Sequence, residues 1–283
     1  MTKNSIKYAS IIVFGYNAVL GIIFAVFCSQ DEQFDYKTFR TCLAMFNGVG
    51  AAFIFAWIVK IMFVQRESLK IFKAKGICPE YVDALRKQFV KNKLSNIQLV
   101  NYANALCFLE RYDEAEQVLN RTPGESLQGP LSKPWYYKTY IWLYLCTGRY
   151  RQALDIFDAS RGQLEKFFCG EGGSACSFYD DAALCSAIRR DFQTAEGFRI
   201  KAAEAAAAHP DRAHSPYMIM AELFILDGNE FEAQRAIEAA RQAAINCQKY
   251  KYPWQRDSVL HSLDISFALA RKIRHDVFES QMQ

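Results

Sequence analysis

With 283 residues, 51% of them apolar and 14% aromatic, the chain has ample material for a core and room for one large or two small domains. Its formal net charge of +4 divides unevenly: residues 1–95 hold 13 Lys/Arg against 6 Asp/Glu, and residues 96–283 hold 21 against 24. The larger part is acidic overall, which argues against a nucleic-acid binder by charge. Nine cysteines, mostly inside apolar helical runs, are too sparse for a disulfide scaffold and suit a reducing compartment.

Tyr8–Cys28 is 21 residues without a charge, and Thr41–Val59 is 19 more, extended past Lys60 by Ile61–Val64. About 20 apolar residues cross a bilayer, so segments of about 8–28 and 41–64 are expected to form a transmembrane hairpin. The first run is longer than the core of a signal peptide and no Ala-x-Ala site follows it. Lys3 and Lys7 precede the first span, Arg66, Lys70, Lys73 and Lys75 follow the second, and the loop between them is acidic. That bias predicts a plasma or inner membrane location with both termini cytoplasmic. Ala44, Gly48, Ala52 and Ala56 recur every four residues and make a smooth strip for close helix packing, within the hairpin or between copies. Cys28 and Cys42 bracket the outer loop and are read as free thiols, although packed spans would bring them near bridging range.

Residues 65–95 form a basic juxtamembrane segment, and Arg66, Lys70, Lys73 and Lys75 are expected to rest on anionic lipid headgroups. Within it Gly76 closes one amphipathic piece and Pro79 opens the next. Beyond it, Gly148–Phe157 (GRYRQALDIF) echoes Glu110–Leu119 (ERYDEAEQVL), with weaker echoes from Arg190 and Gly228. The alanines of the four echoes, Ala115, Ala153, Ala195 and Ala233, lie 38, 42 and 38 residues apart, the spacing of stacked repeats. Each unit reads as a helix A (Asn96–Leu109, Pro134–Cys146, Ser177–Ile188, Pro216–Leu226), a tight turn and a helix B carrying the alanine. The units cover about 96–120, 134–161, 177–207 and 215–248, and an amphipathic segment at about 253–278 reads as a cap on the last apolar surface.

Gly148, Tyr150, Ala153 and Phe157 in the best unit, and Tyr112, Ala115 and Leu119 in the first, resemble the tetratricopeptide repeat (TPR) family. Phe192 and Ala195 carry the third unit and Gly228 and Ala233 the fourth, where Arg199 and Glu230 depart from the pattern. The family's helix-A tryptophan and glycine are absent from every unit. The resemblance implies an all-α architecture: a right-handed solenoid of about four αα-hairpins, following the transmembrane hairpin. It also implies that the A helices line a concave groove for a protein or peptide, placing Asn101, Asn104, Lys138, Trp142, Asp180 and Glu222 there. Asparagines hydrogen-bond a peptide backbone in both senses and Trp142 anchors an apolar side chain. Val100 and Asp181 stand where carboxylate-clamping cations would be expected, so a C-terminal carboxylate ligand is disfavoured.

Catalytic signals are weak. His209, His214, His261 and His275 pair with no nucleophile by spacing, Cys169, Cys176 and Cys185 lack paired CxxC knuckles, and GEGGS at Gly170 lacks the Lys-Ser/Thr of a phosphate loop. Asp180 and Asp181 read as first-turn acids favoured by a helix dipole. The expectation is a non-enzymatic, membrane-anchored scaffold without metal or cofactor. A regulatory sensor of a peptide or small ligand is the alternative, and a membrane enzyme built on the Cys/His set a weaker one.

Overall fold

In the computed structural model the described residues are 67–121, 132–170 and 175–279, and they contain helices, turns and short connections but no β-strand. They belong to the second of two units, Arg66–Gln283. The two spans, the strip of Ala44, Gly48, Ala52 and Ala56, the Cys28 and Cys42 thiols and Arg66 lie outside the described residues. Among those described, no helix is long and apolar enough to cross a membrane.

Helix α1 (67–75) ends where Gly76 takes φ +73°, and Pro79 at the first helical position starts α2, Pro79–Val90. Pro fits there because the missing N–H has no intrahelical partner in any case. Four helix pairs follow: α3 (Asn96–Phe108) with α4 (Tyr112–Asn120), α5 (Ser132–Cys146) with α6 (Tyr150–Phe168), α7 (Ala175–Ile188) with α8 (Phe192–Ala208), and α9 (Ser215–Asp227) with α10 (Glu230–Ile245). Each pair packs on the next, α3 against α5, α6 against α7, and α8 against α9. The start of α3 is set by Ser95, whose backbone N–H and hydroxyl both donate to the Gln98 side chain at 2.9 Å.

The turns within the pairs are one structure repeated four times. Glu110, Gly148, Arg190 and Gly228 each take positive φ, at 58°, 76°, 65° and 86°. At each, the N–H donates three residues back, and the next N–H donates five residues back: Arg111 to Leu106, Arg149 to Tyr144, Asp191 to Ser186, Asn229 to Phe224. This is the Schellman arrangement, which satisfies the last free carbonyls of each A helix and turns the chain sharply. Helix B then brings Ala115, Ala153, Ala195 and Ala233 into the A–B contact, where all four are fully buried. A methyl group at that place lets the two backbones approach. Tyr112, Tyr150 and Phe192, each the first residue of a B helix, are half-buried against the core. Phe157 is buried, whereas Arg199 at the matching place in α8 stays half-buried and pairs with Glu196 at 2.6 Å.

Neighbouring units are also tied by charge. Arg149 reaches back to Glu116 on α4 with two hydrogen bonds of 2.6 and 3.0 Å, and Arg189 reaches Asp158 on α6 at 2.6 Å. The Arg149 guanidinium also lies 4.2 Å from the Tyr144 ring centre.

Helix α11 (Trp254–Ile273), continued by a π-helical turn over Arg274–Glu279, stacks on α9 and α10 through Leu263, Phe267 and Ala270. It also runs back across the four turns. Trp254 Nε1 donates to the Lys73 carbonyl at 3.1 Å, and His261 Nε2 lies 3.2 Å from the Phe108 carbonyl. Lys272 Nζ donates to the Cys146 carbonyl at 2.8 Å, and Tyr150 donates to Asp276 at 2.7 Å. Arg274 contacts Glu230 at 3.3 Å and Phe278 faces Phe192 at 6.2 Å between ring centres. A segment read from sequence as a terminal cap therefore also bridges the N-terminal turns of the array. Its polar side chains made that reach invisible to an amphipathic pattern, which reports only the buried stripe.

Candidate functional site

The six residues assigned to a groove fall into two sets. Asn101 and Asn104, on one face of α3, are exposed, and Trp142 on α5 is half-buried. Lys138, Asp180 and Glu222 turn inward. Lys138 Nζ donates to the Ser177 carbonyl at 2.9 Å and forms an ion pair with Asp181, so it struts α5 to α7. Asp180 accepts from the Ser215 hydroxyl at 2.5 Å, which ties α7 to α9. Glu222 is 3% exposed and takes its hydrogen bond from Ser266 of α11.

These contacts make a polar seam through four helices: one ammonium and three carboxyl groups in a largely apolar interior. Burial pushes the Asp180 carboxyl up to about 7, against the opposing pull of Ser215 and Lys138. Burial also raises Asp181, with Lys138 holding it down. Glu222 is raised well above the usual carboxyl range by burial and by repulsion from Asp180 and Asp181. A buried carboxyl avoids the desolvation penalty of its anion by keeping its proton. The sequence reading of Asp180 and Asp181 as first-turn acids is corrected by this geometry. Helix α7 begins at Ala175, so both lie past its first turn, and the forces on them are burial and Lys138.

The signal for the seam was present in the residues. Glu222 stands in YMIMAELFIL, a run apolar on every side, so any helix made from it must bury its one acid. Ser266 was not singled out from sequence, because alone it is an ordinary polar residue, and Asp181 was read only as a first-turn acid.

Thiol and imidazole chemistry is unpromising here. Burial raises Cys107 and Cys185 far above the usual thiol range and Cys146 to about 11, opposite to the shift an attacking thiolate needs. His214 is buried and lowered to about 4, chiefly by desolvation, with its Nδ1 left without a hydrogen bond. Among the described residues no group of three or more His, Cys, Asp or Glu side chains is placed to hold a metal ion. Comparison of the chain with protein-family models, with curated proteins and with solved structures finds no match.

Proposed function

We propose that the chain is a membrane-anchored scaffold whose TPR-like repeat domain holds a protein or peptide partner at the cytoplasmic face. The observation that carries this reading is the pairing of accessible and anchoring groups on two helices in contact. Asn101 and Asn104 are exposed on α3, and Trp142 is half-buried on α5, which packs against it. Exposed amides beside an aromatic anchor suit recognition of a peptide backbone with one apolar side chain. The hairpin of 8–28 and 41–64 supplies the anchor in this reading, with Ala44, Gly48, Ala52 and Ala56 for packing or self-association. Lys70 and Lys73, with Arg66, meet anionic lipid, whereas Lys75 is engaged by Glu80 at 2.7 Å. The raised thiols count against an enzyme built on the cysteines.

A photo-crosslinking amino acid placed at Asn104 of the full-length chain in native membranes tests this. Discrete adducts should form there, and Trp142→Ala should diminish them. The same probe at exposed Gln193 on α8 is the control. Equal adducts at both positions would sink the proposal. A periplasm-active reporter fused after Gln283 should be silent, and activity would overturn the orientation.

A further inference from the structure

Where α11 crosses the first two turns it lines an open cleft of about 420 Å³ with the ends of α3 and α5. One wall is apolar, made by Ile265, Ala268 and Leu269 of α11. The other walls are rich in acceptors. The last carbonyls of α3 and α5, at Phe108 and Cys146, point their negative helix ends at α11. The chain answers each with a donor, His261 to Phe108 and Lys272 to Cys146. Because a carbonyl only accepts, His261 Nε2 carries a proton, and in the neutral ring Nδ1 is then a lone-pair acceptor. Asp264 is paired with Arg241 at 2.6 Å. Glu110, exposed on the cleft wall two residues beyond Phe108, makes no side-chain hydrogen bond or ion pair with the described residues. These two groups, a carboxylate and an imidazole nitrogen, are both acceptors, set in a lining that also carries the apolar Ile265, Ala268 and Leu269.

We propose that this cleft binds an alkylammonium or alkylguanidinium group, with its head on Glu110 and His261 Nδ1 and its stem along Ile265, Ala268 and Leu269. Lys272, 11 residues beyond His261 on α11, is about 16 Å away along the helix axis. Its ammonium is committed to the Cys146 carbonyl at 2.8 Å. The ligand is a lysine or arginine side chain offered by a bound protein, or a free amine of the same reach. The site stands on the geometry of α11 and the turns, and does not depend on the scaffold reading or on the membrane anchor.

The test uses the full-length purified chain with agmatine, n-butylamine and a capped lysine tripeptide as probes, and valerate as the anionic control. Binding is read by calorimetry. Saturable binding of the cationic probes and none of valerate is expected. Glu110→Gln should weaken it about tenfold, the effect of losing a charged hydrogen-bond partner. Lys272→Met removes the like charge and should tighten it severalfold. Tighter binding of the tripeptide would assign the ligand to a protein side chain, and tighter binding of agmatine to a free amine. Equal binding of valerate, an unaltered affinity in Glu110→Gln, or no saturable binding of any cation would overturn the proposal.

Discussion

Two glycines with nearly the same backbone provide a controlled comparison. Gly76 has φ +73° and Gly148 has φ +76°, so alanine at either place carries the same left-handed strain of about 1 kcal/mol. Their surroundings differ. A Cβ at Gly148 meets only Lys272 Nζ at 3.7 Å and Asp276 Oδ2 at 4.0 Å, ordinary contacts. A Cβ at Gly76 would lie 2.4, 2.7 and 2.9 Å from Cε3, Cδ2 and Cζ3 of Trp254, so the indole must move. That ring stacks on Tyr252 at 5.5 Å, meets the edge of Phe72 at 5.1 Å and donates Nε1–H to the Lys73 carbonyl. Displacing it forfeits a hydrogen bond of about 1 kcal/mol and aromatic contacts of about 0.5–1.5 kcal/mol. Gly76→Ala should therefore destabilise by about 3 kcal/mol, and Gly148→Ala by about 1 kcal/mol. Urea unfolding followed by far-UV circular dichroism measures both. In a Trp254→Ala background the clash is gone, and Gly76→Ala should fall back to about 1 kcal/mol. If Gly76→Ala is no worse than Gly148→Ala, or is unaffected by removing Trp254, the packing argument is wrong.

Glu110→Gly should stabilise by about 0.5–1 kcal/mol, read as a higher melting temperature, because glycine adopts its positive φ without strain. Lys138→Met should destabilise by about 3 kcal/mol at neutral pH by stranding the buried Asp181 anion, and by less as pH falls, because burial makes that carboxyl take up its proton more readily than an ordinary one. Asp180, pushed up to about 7, and Glu222, raised higher than usual, bind protons more tightly in the fold than in the unfolded chain. Between the ordinary carboxyl range of about 4 and pH about 7, the fold therefore holds the extra protons and stability falls as pH rises. Asp180→Asn should flatten that slope by at most about 1.4 kcal/mol per pH unit, and an unchanged urea-midpoint profile would refute it. His214, lowered to about 4, acts oppositely: the unfolded chain binds its proton first, so this histidine costs stability as pH falls below about 6.5, and His214→Asn should remove that loss.

The helix pairs were legible in the residues because apolar spacing, the two turn glycines and four alanines all agree. The turns at Glu110 and Arg190 were not, since neither residue type signals positive φ. Only their distance of 38 residues from Gly148 and Gly228 betrays them once the geometry is known. Lys138 and Glu222 were placed in an open groove by the family pattern, yet Lys138 is part-buried against Asp181 and Glu222 is buried beside Ser266, in a seam shared by α5, α7, α9 and α11. Such seams are hard to read from sequence because each partner lies on a different helix, 35 to 43 residues away in the Ser215–Asp180 and Lys138–Asp181 pairs. The approach of α11 to Lys73 rests on Gly76 and Trp254, 178 residues apart, and no local pattern couples them.

A linear array of repeats ordinarily frays from its ends, since each unit touches only its neighbours. Here a helix at the end of the chain grips a residue 181 positions earlier, and Asp276 takes the hydroxyl of Tyr150 from 126 positions away. Those two closures convert a string into a loop. On the ribosome, the first two hairpins emerge well before their last contacts exist, and they must wait for residues 254–278. Completion of the domain thus waits on residues 254–278, and a chain that stalls before Trp254 leaves the edge of α9 and α10 bare.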